Sequence, residues 1–111
     1  MATLDFRSLN KPSLELILSD DTTIHVETPT HGMLLRFQQM QKDAAALKGK
    51  TDAKALGKMY DLIAEIMSIN REGIKLTGDD LRNKYGFEPY HLLAFEHGYL
   101  EFINEIKQAK N

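Results

Sequence analysis

The sequence predicts an α+β domain, in which a β-hairpin or small antiparallel sheet at the N-terminus precedes about four packed α-helices. Apolar and polar residues alternate along much of residues 13–28, with the period of two that is typical of strands. After Pro29 the apolar residues recur every three or four positions, which is the spacing of a helix face. The length of 111 residues fits a single domain, with a hairpin region at 1–28 and a helical region at 29–111.

The hairpin region contains two short runs with strand character. The first, residues 13–19, alternates in leucine and places Ile17 on the opposite face, whereas the second, residues 22–28, is rich in β-branched residues. Asp20-Asp21 separates them as a polar turn that lacks the usual glycine. The apolar residues of Leu4–Phe6 indicate a further short strand.

The first two predicted helices are long and amphipathic. Thr30 suits the N-cap of the first helix, which ends near Gly49. Its apolar stripe has spacings of three and four residues: Met33, Phe37, Met40, Ala44 and Leu47. The second helix, opened by Thr51-Asp52, is apolar along two adjacent stripes. We therefore expect it to lie centrally and to pack on more than one side.

Two further helices complete the helical region. Thr77 caps a short helix with Asp79 and Asp80 in its first turn, where negative charge is favourable. Pro89 fits the first turn of the last helix. One face of that helix carries a second long apolar stripe: Leu92, Phe95, Tyr99, Phe102 and Ile106.

Composition excludes several classes of function. The chain has 14 basic and 16 acidic residues and a formal net charge of -2, so it offers no basic field for nucleic acid. Without cysteine it can form neither disulfides nor a thiolate metal site. No apolar run approaches the ~20 residues that span a bilayer, and the N-terminus lacks the pattern of a signal peptide. We expect a soluble protein without nucleic-acid or membrane partners.

The chemistry-bearing residues do not combine into a catalytic or metal site. His97 and Glu101 share a helix face, but two ligands are fewer than a zinc site needs, so an exposed ion pair is the simpler interpretation. His25 and His31 have no evident partner in the sequence. The paired aspartates suit turn and helix-start positions, and no glycine-rich phosphate loop is present. The sequence therefore predicts a protein that is not an enzyme and uses no cofactor.

The apolar stripes exceed what a small hairpin can cover, which favours self-association or the binding of a partner helix. The residues predicted to contact a partner or a second copy lie on the stripes of the first and last helices: Met33, Phe37, Met40, Leu47, Phe95, Tyr99, Phe102 and Ile106. Aspartate at Phe37 or Phe102 is expected to abolish partner binding while circular dichroism stays helical. Loss of helicity would instead mean that the residue belongs to the core.

Two segments resemble the tail assembly chaperones of long, non-contractile-tailed phages and prophages of Gram-positive bacteria. Ile63–Thr77 contains a Met-Ser-x-Asn-x-x-Gly stretch that is followed, after Ile74, by a basic residue, an apolar residue and a helix-opening threonine. The aromatic-rich Leu92–Ile106 is similar to the last helix of that family, and the opening Leu4–Arg7 and Thr28–Thr30 are also similar. The chain departs from the family at Asp20-Asp21, where a glycine-containing turn is commoner.

The resemblance implies a non-structural assembly factor that binds and solubilises the tape measure protein and helps to recruit tail tube subunits. It implies a homo-oligomer that acts in the bacterial cytoplasm and is absent from the mature virion. Three other interpretations remain open at this point: a small prophage or bacterial adaptor or regulatory module, a minor tail-completion protein of the virion, and a small enzyme whose site the sequence does not display.

Overall fold

A computed structural model describes residue 2, residues 12–46 and residues 53–109. Two strands precede the helices, and the elements in chain order are β1 (Ser13–Ile17), β2 (Thr23–Glu27), α1 (His31–Ala46), α2 (Ala53–Met67), a π-helical turn (Asp80–Lys84) and α3 (Pro89–Ala109). This order confirms the predicted α+β class. The strand expected at Leu4–Phe6 lies outside the described residues.

The hairpin has the register that the alternation predicts. β1 pairs with β2 in antiparallel fashion, with Leu14 opposite Val26 and Leu16 opposite Ile24. Ile24 and Val26 are completely buried, and the two leucines pack against the same core. Ile17, predicted on the other face, is 69% exposed.

The hairpin turn explains how aspartate replaces glycine. The Leu18 N–H donates to the Thr22 carbonyl (2.8 Å) and the Asp21 N–H donates to the Leu18 carbonyl (2.9 Å), which closes a three-residue loop. Asp21 takes the left-handed position with φ of 68°, a conformation that Asp tolerates better than most residues. The Asp20 carboxylate accepts the Thr22 N–H (3.0 Å), and hydrogen bonding by Thr22 lowers the pKa of Asp20.

The outer edge of β2 is covered by the segment that follows α2. The Glu27 N–H donates to the Ile69 carbonyl (2.9 Å), and the Arg71 N–H donates to the His25 carbonyl (3.0 Å). These bonds satisfy backbone groups that an edge strand would otherwise expose. Residues 69–71 thus extend the hairpin laterally, a role that their sequence does not indicate.

The starts of α1, the π-helical turn and α3 are those that the sequence predicts, whereas the end expected near Gly49 and the start expected at Thr51-Asp52 lie outside the described residues. The Thr30 hydroxyl accepts the Met33 N–H (3.1 Å) at the beginning of α1. Thr77 and Asp80 form a reciprocal capping box, in which each side chain accepts the backbone N–H of the other. The short helix predicted after this box is the π-helical turn. Pro89 is the first residue of α3.

The Met-Ser-x-Asn-x-x-Gly stretch forms the loop after α2, and Asn70 organises it. Its Nδ2 donates to the Met67 carbonyl (2.8 Å) and to the Ile74 carbonyl (2.7 Å), and its Oδ1 accepts the Ile74 N–H (2.9 Å). Gly73 supplies the left-handed φ of 72° that the loop requires. The stretch is therefore structural in this chain.

Ser68 ties the two ends of the same loop together. Its hydroxyl donates to the Ala64 carbonyl of α2 (2.7 Å) and accepts the Leu76 N–H (2.8 Å). The residues that follow the loop are thereby held to the end of α2. The loop itself lies against the edge of β2.

The second helix is central, as its two apolar stripes predict. It contacts α1, α3 and the π-helical turn, and its buried residues are Tyr60, Leu62, Ile63, Ala64, Ile66 and Met67. The α1–α3 contact is aromatic, since Phe37 meets the ring of Tyr99 edge-on at 5.1 Å. Burial raises the pKa of Tyr99 to about 12.

Candidate protein-binding groove

An open groove of about 630 Å³ lies between α1 and α2. Its floor consists of the buried and half-buried apolar residues that line it: Met40, Ala44, Ala55, Met59 and Leu62. Its rim consists of the exposed polar and charged ones: Arg36, Gln39, Asp43, Lys54, Lys58, Asp61 and Glu65. A cleft with an apolar floor and a polar rim is the usual form of a site that binds an amphipathic partner.

Helical spacing accounts for this division. The α1 residues that line the groove lie at positions 36, 39, 40, 43 and 44, so they form one face of the helix. From α2 the groove takes one side of the wide apolar arc, while the other side enters the core. Ala44 and Ala55 keep the floor low because each has a single side-chain carbon.

Charges of both signs border the floor. Arg36 on α1 pairs with Glu65 on α2 across 2.5 Å, and both side chains are more than half exposed. An exposed pair of this kind contributes about 0–1 kcal/mol, so a ligand can displace it at low cost. The Gln39 amide donates to the Asp43 carboxylate (2.9 Å) along α1, and Lys58 lies on the α2 side. The rim can therefore pair with acidic and basic groups of a ligand.

The structure places most of the predicted contact residues in the core. Five of the eight are buried within the chain: Phe37, Met40, Phe95, Tyr99 and Phe102. Met33 and Ile106 are half-buried and pack against the same core, while Leu47 lies outside the described residues. The α3 stripe therefore presents little accessible surface, whereas the α1 stripe reaches the groove through Met40 and Ala44. Contact of these residues with a partner stays a prediction.

Several groove residues were not among those predicted to contact a partner. A search for apolar residues at helical spacing does not find Lys54, Ala55 and Lys58, because two of them are charged and one is small. Met59 and Leu62 lie on one of the two apolar stripes of α2, the one formed by Met59, Leu62, Ile66 and Ile69. The width of the apolar surface of α2 was the signal in the sequence that could have indicated them. A helix with two apolar stripes can serve a core on one side and a groove on the other.

A second apolar surface lies between the hairpin and the start of α3. Ile17 at the end of β1 is 69% exposed. On the first turns of α3, Tyr90 and Leu93 are 62% and 54% exposed. A cavity of about 200 Å³ adjoins Ile17, and Phe87 and His91 also line it. This cavity has a third of the volume of the groove, and the described residues that line it include no aspartate, glutamate, lysine or arginine.

One histidine has a partner that the sequence does not indicate, and one ion pair predicted for a histidine is wrong. His25 has a partner that the sequence did not reveal, because its Nδ1 lies 2.6 Å from Oε2 of Glu72. The ion pair expected between His97 and Glu101 is absent from the described residues, where both side chains are exposed. The same part of the chain shows no group of three or more histidine and acidic side chains arranged to hold a metal. Nor does it show a helix with the length and apolar character needed to cross a bilayer.

Comparison of the chain with protein-family models, curated proteins and solved structures finds no match in any of the three. The resemblance of Ile63–Thr77 and Leu92–Ile106 therefore stays a prediction from the sequence, and the groove is the feature of the structure from which a function is proposed below.

Proposed function

We propose that the chain is a tail assembly chaperone of a long-tailed phage or prophage, which holds an amphipathic helix of the tape measure protein in the groove. The observation that carries the proposal is the groove itself, an apolar floor between two helices with charges of both signs along its rim. The resemblance supplies the identity of the partner, and the groove supplies a place for it.

A helix suits this groove in shape. Neighbouring helices pack with their axes about 8–10 Å apart, so a third helix laid along the groove would contact α1 and α2 at once. Methionine is unbranched and adapts to differently shaped partners, which favours Met40 and Met59 as contacts for a variable sequence. A chaperone that coats a long helix must accept many successive segments of it.

The wider role follows from the same proposal. By covering apolar helix faces, many copies of a small protein would keep the tape measure protein soluble before the tail tube assembles around it. The chaperone would act in the bacterial cytoplasm, associate with further copies of itself and with tail tube subunits, and be absent from the finished virion. It would work by binding alone, without catalysis or a cofactor.

A matched pair of substitutions tests the groove. Ala44 lines it, whereas its neighbour Ala45 is exposed and does not. We expect Ala44→Glu to weaken binding of the tape measure protein at least about tenfold, since a carboxylate would be trapped beneath an apolar ligand face. Ala45→Glu adds the same charge to the same helix and should leave binding within about twofold. Co-expression with the tape measure protein, followed by measurement of its soluble fraction and of affinity, provides the readout.

The alternatives give different outcomes. Equal binding by the two variants would remove the groove from the proposal, and failure of the native chain to solubilise any part of the tape measure protein would remove the chaperone function. Recovery of the chain in purified virions would favour a tail-completion protein. Thermal unfolding of the free variants separates loss of binding from loss of fold.

A further inference from the structure

The hairpin is attached to the turn after α2 by a side chain as well as by backbone hydrogen bonds. His25 Nδ1 lies 2.6 Å from Oε2 of Glu72, and the His25 backbone N–H donates to Oε1 of the same carboxylate (2.7 Å). On the other side of the ring, His25 Nε2 lies 3.4 Å from Oε2 of Glu15, its cross-strand neighbour. Each ring nitrogen therefore faces a carboxylate oxygen.

This arrangement discriminates between the two charge states of the imidazole. An ionised carboxylate only accepts hydrogen bonds, and a neutral imidazole has one N–H to donate whereas an imidazolium has two. Only protonated His25 can donate to Glu72 and Glu15 together. A neutral ring that keeps its Nδ1–H bond to Glu72 loses the bond to Glu15 and also the positive charge that strengthens the bond to Glu72. We propose that His25 is a pH-sensitive clamp, which when protonated fastens the hairpin to the turn after α2 and when neutral loosens that attachment.

The junction between β2 and residues 69–72 is called the seam below. The charged groups around His25 come from every element that meets there. Glu15 belongs to β1, Glu27 follows two positions along β2 on the same face, and Arg71 and Glu72 belong to the turn. The backbone N–H groups of Glu27 and Arg71 donate across the seam. The clamp and the backbone bonds therefore hold the same two elements together, so loosening one weakens the other.

The sign of the pH effect follows from the two partners. The hydrogen bond that the His25 ring donates to Glu72 raises the pKa of His25 above 6.5, and the same bond lowers the pKa of Glu72 below 4.5. The contribution of His25 is complete below pH 6.5 and is lost as the pH rises through its raised folded-state pKa. That of Glu72 is complete above pH 4.5 and is lost as the pH falls through its lowered pKa. The clamp is strongest between pH 4.5 and pH 6.5, where His25 is protonated and Glu72 is ionised.

Amide exchange tests the clamp directly at the seam. After correction for intrinsic exchange, we expect protection of the Glu27 and Arg71 amides to fall about two- to fivefold between about pH 6 and pH 8.5. This fold-change corresponds to the stabilisation that an exposed ion pair provides. In His25→Gln this fall should disappear. Protection of the Ile63 amide, in the buried centre of α2, reports global unfolding and should fall by no more than that of the Glu27 and Arg71 amides.

Titration of the His25 ring by NMR provides the second readout. We expect a midpoint above 6.5 in the native chain and a lower one in Glu72→Gln, which retains an oxygen acceptor for the His25 backbone N–H. A native midpoint at or below 6.5, an unchanged midpoint in Glu72→Gln, or the same pH-dependent loss of protection in His25→Gln would each overturn the clamp. The test does not depend on what the groove binds.

Discussion

Phe37→Asp is expected to unfold the chain and not merely to release a partner. Phe37 is fully buried and meets Tyr99 edge-on at 5.1 Å. Truncating a buried phenylalanine costs about 3–5 kcal/mol, and an unpaired buried carboxylate adds further cost. Since domains of this size have about 5–15 kcal/mol of stability in total, the variant should lose most of its helical circular dichroism or unfold at much lower urea.

Leu35→Asp is the matched control for this experiment. Leu35 lies two residues away on the same helix and is 52% exposed, so the same substitution should change the free energy of unfolding by only about 0.5 kcal/mol. If Phe37→Asp stays folded like Leu35→Asp, Phe37 is not core. The α1 stripe as first predicted from the sequence would then be the partner face.

Asn70→Ala is expected to lower the free energy of unfolding by about 2–4 kcal/mol. Its side chain makes three hydrogen bonds with the backbone of Met67 and Ile74, each contributing roughly 0.5–1.5 kcal/mol net. The loop that it organises also covers the edge of β2, so the hairpin should lose protection in the same variant. Urea unfolding together with amide exchange measures both effects.

The control for Asn70 is Asn104, which is exposed on α3. Asn104→Ala removes the same group and should be neutral or slightly stabilising, because alanine has the higher helix propensity. Equal stability of the two variants would show that the loop does not depend on its side-chain bonds.

The sequence predicted the parts of the fold that local interactions determine. A helix period, an N-cap such as Thr30, and a helix-opening Pro89 all act within a few residues, so they identified α1, α2 and α3 and the starts of α1 and α3. The hairpin was equally local, since a short turn joins its two strands. Asp21 shows that the turn forms even without glycine.

Contacts between distant residues could not be predicted in this way. His25 and Glu72 are 47 positions apart, and nothing in either neighbourhood indicates the other. The same holds for Ile69, whose carbonyl pairs with β2. These contacts depend on how α2 packs against the hairpin.

The division between core and groove also required the structure. Apolar side chains at helical spacing have the same pattern whether they pack inside the chain or line an open surface, so Phe102 and Met40 were indistinguishable in the sequence. Packing decides between them. The α3 stripe packs against α1 where Tyr99 meets Phe37, whereas Met40 and Ala44 of the α1 stripe line the groove.

Methionine methyl NMR shows whether a helix of the tape measure protein binds in the groove. Met40 and Met59 line the groove, whereas Met67 is completely buried elsewhere in the core. The chain, labelled with ¹³C at its methionine methyl groups, is titrated with synthetic helical peptides tiled along the tape measure protein. The account predicts that a binding peptide shifts the signals of Met40 and Met59 and leaves that of Met67 in place. Binding that shifts neither groove signal, or no binding by any peptide, would contradict it.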